Sequence, residues 1–173
     1  RHLRFMLLAS PRWLFVMPGL ALAALSLVAF LRLAAGPLQL GHVTFDVNTL
    51  VLAAAGLVAG VQMILLGVIA KSFAVQQGIA PPTPYINLLQ RLHPVEFGIA
   101  AGGVLILVGL TYVLTAVAHW RAVGFGDLPY RESVRIVIPA VTAAALGIQL
   151  AFSAFALAVL DLGREIRLKR AAP

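Results

Sequence analysis

Four long apolar runs, separated by short polar stretches rich in Gly and Pro, set the pattern of this chain. They cover about 13–33, 50–70, 97–118 and 136–160, and the charge they contain is Arg32, at the far end of the first. Each is long enough to cross the hydrocarbon core of a bilayer, which takes about 20 helical residues. Strict alternation is lacking, and backbone N–H and C=O groups inside lipid must pair within their own segment, so the runs predict helices. The expected fold is all-α: an integral membrane bundle of four transmembrane helices with short interfacial helices.

The connections carry their own punctuation. Residues 34–48, AAGPLQLGHVTFDVN, hold Gly36-Pro37, Gly41 and β-prone residues without Lys or Arg. In 76–97, Gly78 reads as a helix stop, and Thr83-Pro84 as an N-cap with Pro at the first helical position. Tyr85, Leu88, Leu89 and Leu92 then share one face, which predicts an interfacial helix over about 84–92. Glu96 suits the positive end of the third helix. Trp120 and Tyr130 flank a Gly-rich turn at the far interface. The domain reading is a juxtamembrane interfacial segment (1–12), the four-helix domain (13–163) and a basic cytoplasmic tail (164–173).

Composition turns the helix pattern into a membrane protein. The chain of 173 residues is 61% hydrophobic and 11% charged, with a mean hydropathy of +0.99; a soluble domain carries about 25% charged residues. The absence of cysteine removes disulfides, thiolate metal sites, iron–sulfur clusters and c-type haem attachment. The net charge of +7 forms no basic face for nucleic acid, because the cations sit at the ends of apolar segments. With the N-terminus, the 71–96 loop and the C-terminus on one side, Arg1, Arg4, Arg12, Lys71, Arg91, Arg164, Arg167, Lys169 and Arg170 face Arg32, Arg121, Arg131 and Arg135 on the other. Nine against four predicts that both termini are cytoplasmic.

Candidate chemistry is sparse. No Asp, Glu, Lys or His lies at mid-depth, and the deepest polar groups are Gln62 and Gln149, which could hydrogen-bond between helices. The segments GLVAG (56–60) and GIAAG (98–102), extended by Gly67, Gly103, Gly109 and Gly147, predict close helix approach. Pro18 and Pro139 are expected near helix beginnings or at mild kinks. The four histidines are split between the two faces and make a poor metal constellation. Asp46, Asp127 and Asp161 read as solitary boundary residues, and no catalytic triad or phosphate-cradling loop is present.

The order of segments is more specific. RHLRFMLLASPRWLFVMPG before a span, then FDVNTLVLAAAGLVAGVQMILLGVIAKSFAVQQG, then IPAVTAAALGIQLAFSAF resembles the C-terminal membrane region of bacterial family 2 glycosyltransferases similar to dolichol-phosphate mannose or glucose synthases. The resemblance covers essentially the whole chain. It implies a preceding cytosolic catalytic domain that uses a nucleotide-sugar and a divalent metal and moves the sugar onto a polyprenyl phosphate. None of those catalytic elements occurs in this sequence, so no catalytic residue, metal ligand or cofactor is assigned to it. What carries over is anchorage in the cytoplasmic (inner) membrane and placement of a lipid phosphate. Arg1, Arg4 and Arg12 would meet phosphates while Leu3, Met6 and Leu7 dip into the acyl boundary, and Lys71 and Arg91 are similar candidates. The alternative is that these cations only set topology and meet bulk anionic lipid. Two other functions stay open: a structural accessory subunit of a larger membrane complex, and a small transporter or lipid flippase with a water-accessible cavity around Gln62 and Gln149. Expected partners are membrane lipids, polyprenyl phosphate and the catalytic domain or partner membrane subunits.

Overall fold

The structure, a computed structural model, describes residues 12–81, 94–126 and 130–171. A π-helical turn, Arg12–Val16, leads into α1 (Met17–Ala34). A two-stranded hairpin, β1 (Leu38–Leu40) and β2 (Val43–Phe45), precedes α2 (Val47–Gln76), α3 (Pro94–Ala122) and α4 (Tyr130–Ala171). All four helices are long and apolar enough to span a membrane. The interfacial helix expected over 84–92 and the segment 1–11 lie outside the described residues.

Helix bounds differ from the apolar runs in an informative way. A run ends where hydrocarbon ends, but a helix ends where its backbone is capped. At the start of α2, the N–H groups of Thr49 and Leu50 both donate to the Asp46 carbonyl at 3.0 Å. At its end, Gly78 adopts φ 70° and the N–H of Ile79 donates to the Ala74 carbonyl at 2.9 Å, a left-handed stop of the kind glycine favours. The 30 residues between span about 45 Å, more than the hydrocarbon core. For the same reason, the stretch expected as a basic tail continues α4 without a break to Ala171. Pro18 falls in the first turn of α1, whereas Pro139 lies inside α4. The β-prone connection forms the hairpin, with Leu38 opposite Phe45 and Leu40 opposite Val43. Its two-residue turn has Gly41 at φ 59°.

The helices run alternately up and down as two hairpins, α1–α2 and α3–α4, joined where α2 meets α4. Burial is inverted relative to a water-soluble domain. The buried apolar set is mostly alanine, while Leu25, Leu52, Phe97 and Phe152 are each more than 70% exposed. Outward bulk and inward smallness suit a solvent of acyl chains. The glycine patterns form both seams. A Cβ on Gly60 would fall 2.5 Å from the Ala23 nitrogen and 2.8 Å from the Gly19 carbonyl oxygen. On Gly102 it would meet the Gly147 carbonyl oxygen at 2.6 Å, and on Gly109 the Ala140 carbonyl oxygen at 2.7 Å. A Cβ on Gly67 would meet Val16 and Phe15 side-chain atoms of the π-helical turn at 2.7 and 3.1 Å, but Gly103 has nothing within 4 Å. One residue is about 100° of helix rotation, so Gly103 turns away from the seam that Gly102 occupies.

Candidate lipid-facing site

The polar groups collect at the two ends of the bundle. At the end where α1 finishes and α2 and α4 begin, Asp46 is the cap residue of α2, yet its carboxylate makes no capping bond. It instead accepts from Arg135 of α4, whose guanidinium also donates to the Leu33 carbonyl at 2.8 Å. Arg131 adds a second cation at 3.3 Å. The Asp46 and Arg135 side chains are only 19% and 18% exposed, whereas Arg131 is 78% exposed. Arg135 thus ties the last turn of α1 and the first residue before α2 to α4. A polar recess of about 590 Å³, lined by Thr44, Asp46, Asn48, Thr49 and Arg131 among others, opens beside it.

On the α3–α4 side of this end, Trp120 donates its indole N–H to the Gly126 carbonyl at 3.1 Å and meets Phe125 edge-to-face at 5.1 Å. Phe125 holds φ 59°, directly after Gly124 at 69°. The aromatic pair closes one side of an apolar cleft of about 510 Å³ that Val113, Val117, Ser133 and Val137 also line.

At the opposite end, Gln76 of α2 donates its side-chain N–H to the Asp161 carboxylate of α4 at 2.9 Å. Asp46 and Asp161 are therefore not solitary, as their sequence positions suggested. Their partners stand 89 and 85 positions away, beyond the reach of any local pattern. The available sign was weaker: a carboxylate and a complementary donor at matching helix ends.

Of the five cations expected to meet lipid phosphate, Arg1, Arg4 and Arg91 lie outside the described residues. Arg12 opens the π-helical turn. Lys71 lies in the last third of α2, and only 6% of it is exposed. Phe15 and Val16 pack over Gly67, one helical turn before Lys71, so Arg12 and Lys71 fall at the same end of the α1–α2 seam.

Gln62 and Gln149 fall level with each other. The contacts Asp46–Arg135 and Gln76–Asp161 offset α4 from α2 by 89 and 85 residues, which places Gln62 beside the 147–151 stretch. Neither glutamine side chain forms a hydrogen bond among the described residues, and the side-chain oxygen of Gln149 is buried without a partner. The hydroxyl of Thr142, about two turns before Gln149 on α4, is satisfied by the Ile138 carbonyl at 2.7 Å. Among the described residues no three His, Asp or Glu side chains converge.

Residues 68–161, more than half of the chain, match the glycosyltransferase family 2 C-terminal transmembrane region. The chain belongs to this family. Over 159 residues it is 32% identical to the low-salt glycan biosynthesis hexosyltransferase Agl6 of Haloferax volcanii, an alignment that covers 91% of this chain and 37% of that protein. The transmembrane region thus spans little more than a third of the length of the relative it matches. No solved structure matches it. The family window includes Lys71, Gln76, Arg135 and Asp161, residues of both polar ends.

Proposed function

We propose that this transmembrane region anchors a family 2 glycosyltransferase in the cytoplasmic membrane, with both termini on the cytoplasmic side, and presents polyprenyl phosphate to its catalytic domain. Family membership is the observation that carries the reading. Two features support it. The first and last described helical residues, Arg12 and Ala171, fall at one end of a four-helix up–down bundle, and the sequence concentrates its cations at that end. The spans themselves carry no ionised group at mid-depth, as suits an anchor rather than an ion-coupled carrier.

In this reaction, the sugar's anomeric carbon gains a bond to a phosphate oxygen of the lipid. The bond that breaks joins that carbon to the nucleoside diphosphate, which leaves. The catalytic domain supplies the metal-assisted departure. The membrane region contributes position: it holds the acceptor phosphate at the bilayer surface, where Arg1, Arg4, Arg12, Lys71 and Arg91 provide cations, and leaves the prenyl chain in lipid.

The test is sugar transfer by the full-length protein in membranes, followed with a labelled nucleotide-sugar. The expected product is an organic-extractable glycosyl phosphate whose formation requires added polyprenyl phosphate. Transfer that proceeds equally without polyprenyl phosphate, or label recovered only on protein, overturns the reading.

A further inference from the structure

The β-hairpin between α1 and α2 has one wholly apolar face that the bundle covers only at its root. Successive strand residues point to opposite faces, and cross-strand partners share a face. Leu38 pairs with Phe45 and Leu40 with Val43, so these four side chains stand together. Gln39 and Thr44, which pair with each other, take the other face. At the root, Leu38 and Phe45 are half-buried; at the tip, Leu40 and Val43 are 60% and 55% exposed. Between Leu33 and Phe45 the sequence carries no Asp, Glu, Lys or Arg.

The place of the hairpin in the fold indicates what meets that face. It is held between two spans, since α1 ends at Ala34 and α2 starts at Val47. The apolar run of α2 begins at Leu50, three residues and about 4.5 Å along the helix from Val47. The polar layer on each side of the hydrocarbon is about 5–8 Å thick, so the root of the hairpin stands within it. A strand of three residues reaches about 10 Å. Upright, the hairpin would carry Leu40 and Val43 past the headgroups into water. Laid flat, it brings both to the edge of the acyl chains, where their burial is favourable. It goes no deeper, because a two-stranded ribbon has unpaired backbone edges that need headgroups or water as partners. The loop after α3, at the same end, likewise exposes Val123 and Phe125 beside the interfacial Trp120.

We infer that the hairpin lies along the bilayer surface, with Leu40 and Val43 set into the headgroup–acyl boundary of the leaflet where α2 and α4 begin. The partner of this surface is lipid. A second copy seated on the hairpin tip would bury two side chains from each chain, far below the roughly 1,200 Å² of a stable interface. Seated in this way, the hairpin fixes the depth of α1 and α2 in the membrane from the end remote from Arg12. The inference needs four helices that cross a bilayer, and it stands whether or not the chain presents polyprenyl phosphate.

The experiment reads the depth of each hairpin position in the full-length protein, reconstituted in phosphatidylcholine vesicles. Leu40→Cys, Val43→Cys, Gln39→Cys and Thr44→Cys are made one at a time in a background whose other cysteines are serine, and each is labelled with an environment-sensitive fluorophore. Nitroxides carried on the lipid chains should quench the labels at 40 and 43 severalfold more than those at 39 and 44. Aqueous iodide, present on both sides of the vesicle, should quench them in the reverse order. Four labels equally open to iodide and untouched by the lipid nitroxides overturn the inference, because the hairpin then stands in water. Equal lipid quenching at all four overturns the flat, one-faced seating. Labels at 40 and 43 that are shielded from both quenchers, and become open to iodide when the protein is diluted with lipid, show a second copy on the face and overturn lipid as the partner. Thermal unfolding matched to the unlabelled parent establishes that each labelled protein is folded, and the two positions on each face serve as duplicates.

Discussion

The two ends of the bundle hold similar residue types and use them in opposite ways. Where α2 and α4 begin, a carboxylate, two guanidinium groups and a helix-terminal carbonyl satisfy one another, and the pair at the centre is largely withdrawn from solvent. At the other end, the Asp161 carboxylate of α4 takes one neutral amide donor from the last residue of α2. A closed set of charges fastens helices together, and a single bond to a neutral group fastens them less. The contrast assigns the stronger tie to the first end.

The strongest way to break that contrast is at Arg135. Arg135→Met removes the ion pair with Asp46 and the bond to the Leu33 carbonyl at once, leaving two acceptors in a half-buried place. Unfolding in a denaturing-detergent titration should lose about 3 kcal/mol, while lipid binding by the fraction that remains folded is retained. A smaller effect belongs to Asp161→Leu, which removes one charge-assisted bond from Gln76 and should cost about 1 kcal/mol in the same titration. Lys71→Met should change lipid-free stability less still, by under about 1 kcal/mol in the same titration, because among the described residues Lys71 has no ion pair or hydrogen bond to lose. The smallest is Arg131→Gln, expected to stay within about 0.5 kcal/mol, because most of its guanidinium lies in solvent. Equal losses for Arg131→Gln and Arg135→Met would show that the tie between the hairpins is diffuse surface charge rather than one anchored arginine.

The sequence made the four spans legible because exclusion of charge from hydrocarbon is a strong and local constraint. It marked the stop at Gly78 and the small-residue faces of α2 and α3 for the same reason: the backbone demands them nearby. It left the helix bounds short, since Asp46 and the polar residues after Leu160 belong to helices that outrun the bilayer. It could not separate Gly102 from its neighbour Gly103, which differ only in the face they occupy. The tie from Arg135 to Asp46 was hidden because each residue looks ordinary at its own boundary, and only the antiparallel course of the hairpins brings them together. Of the candidate site, the cations were visible as a set. That Lys71 is drawn into the bundle, with 6% of it exposed, required the fold.

The glycine seams have a thermal consequence. Backbones in van der Waals contact gain their attraction from packing, and parting two such helices inside a bilayer transfers little hydrocarbon surface to water. The heat capacity change that bends the stability curve of a water-soluble domain comes from hydrating apolar surface. Separation of α1 from α2, or of α3 from α4, should therefore follow a nearly straight line in temperature. Cooling would tighten these seams steadily, without the turnover that brings on cold denaturation.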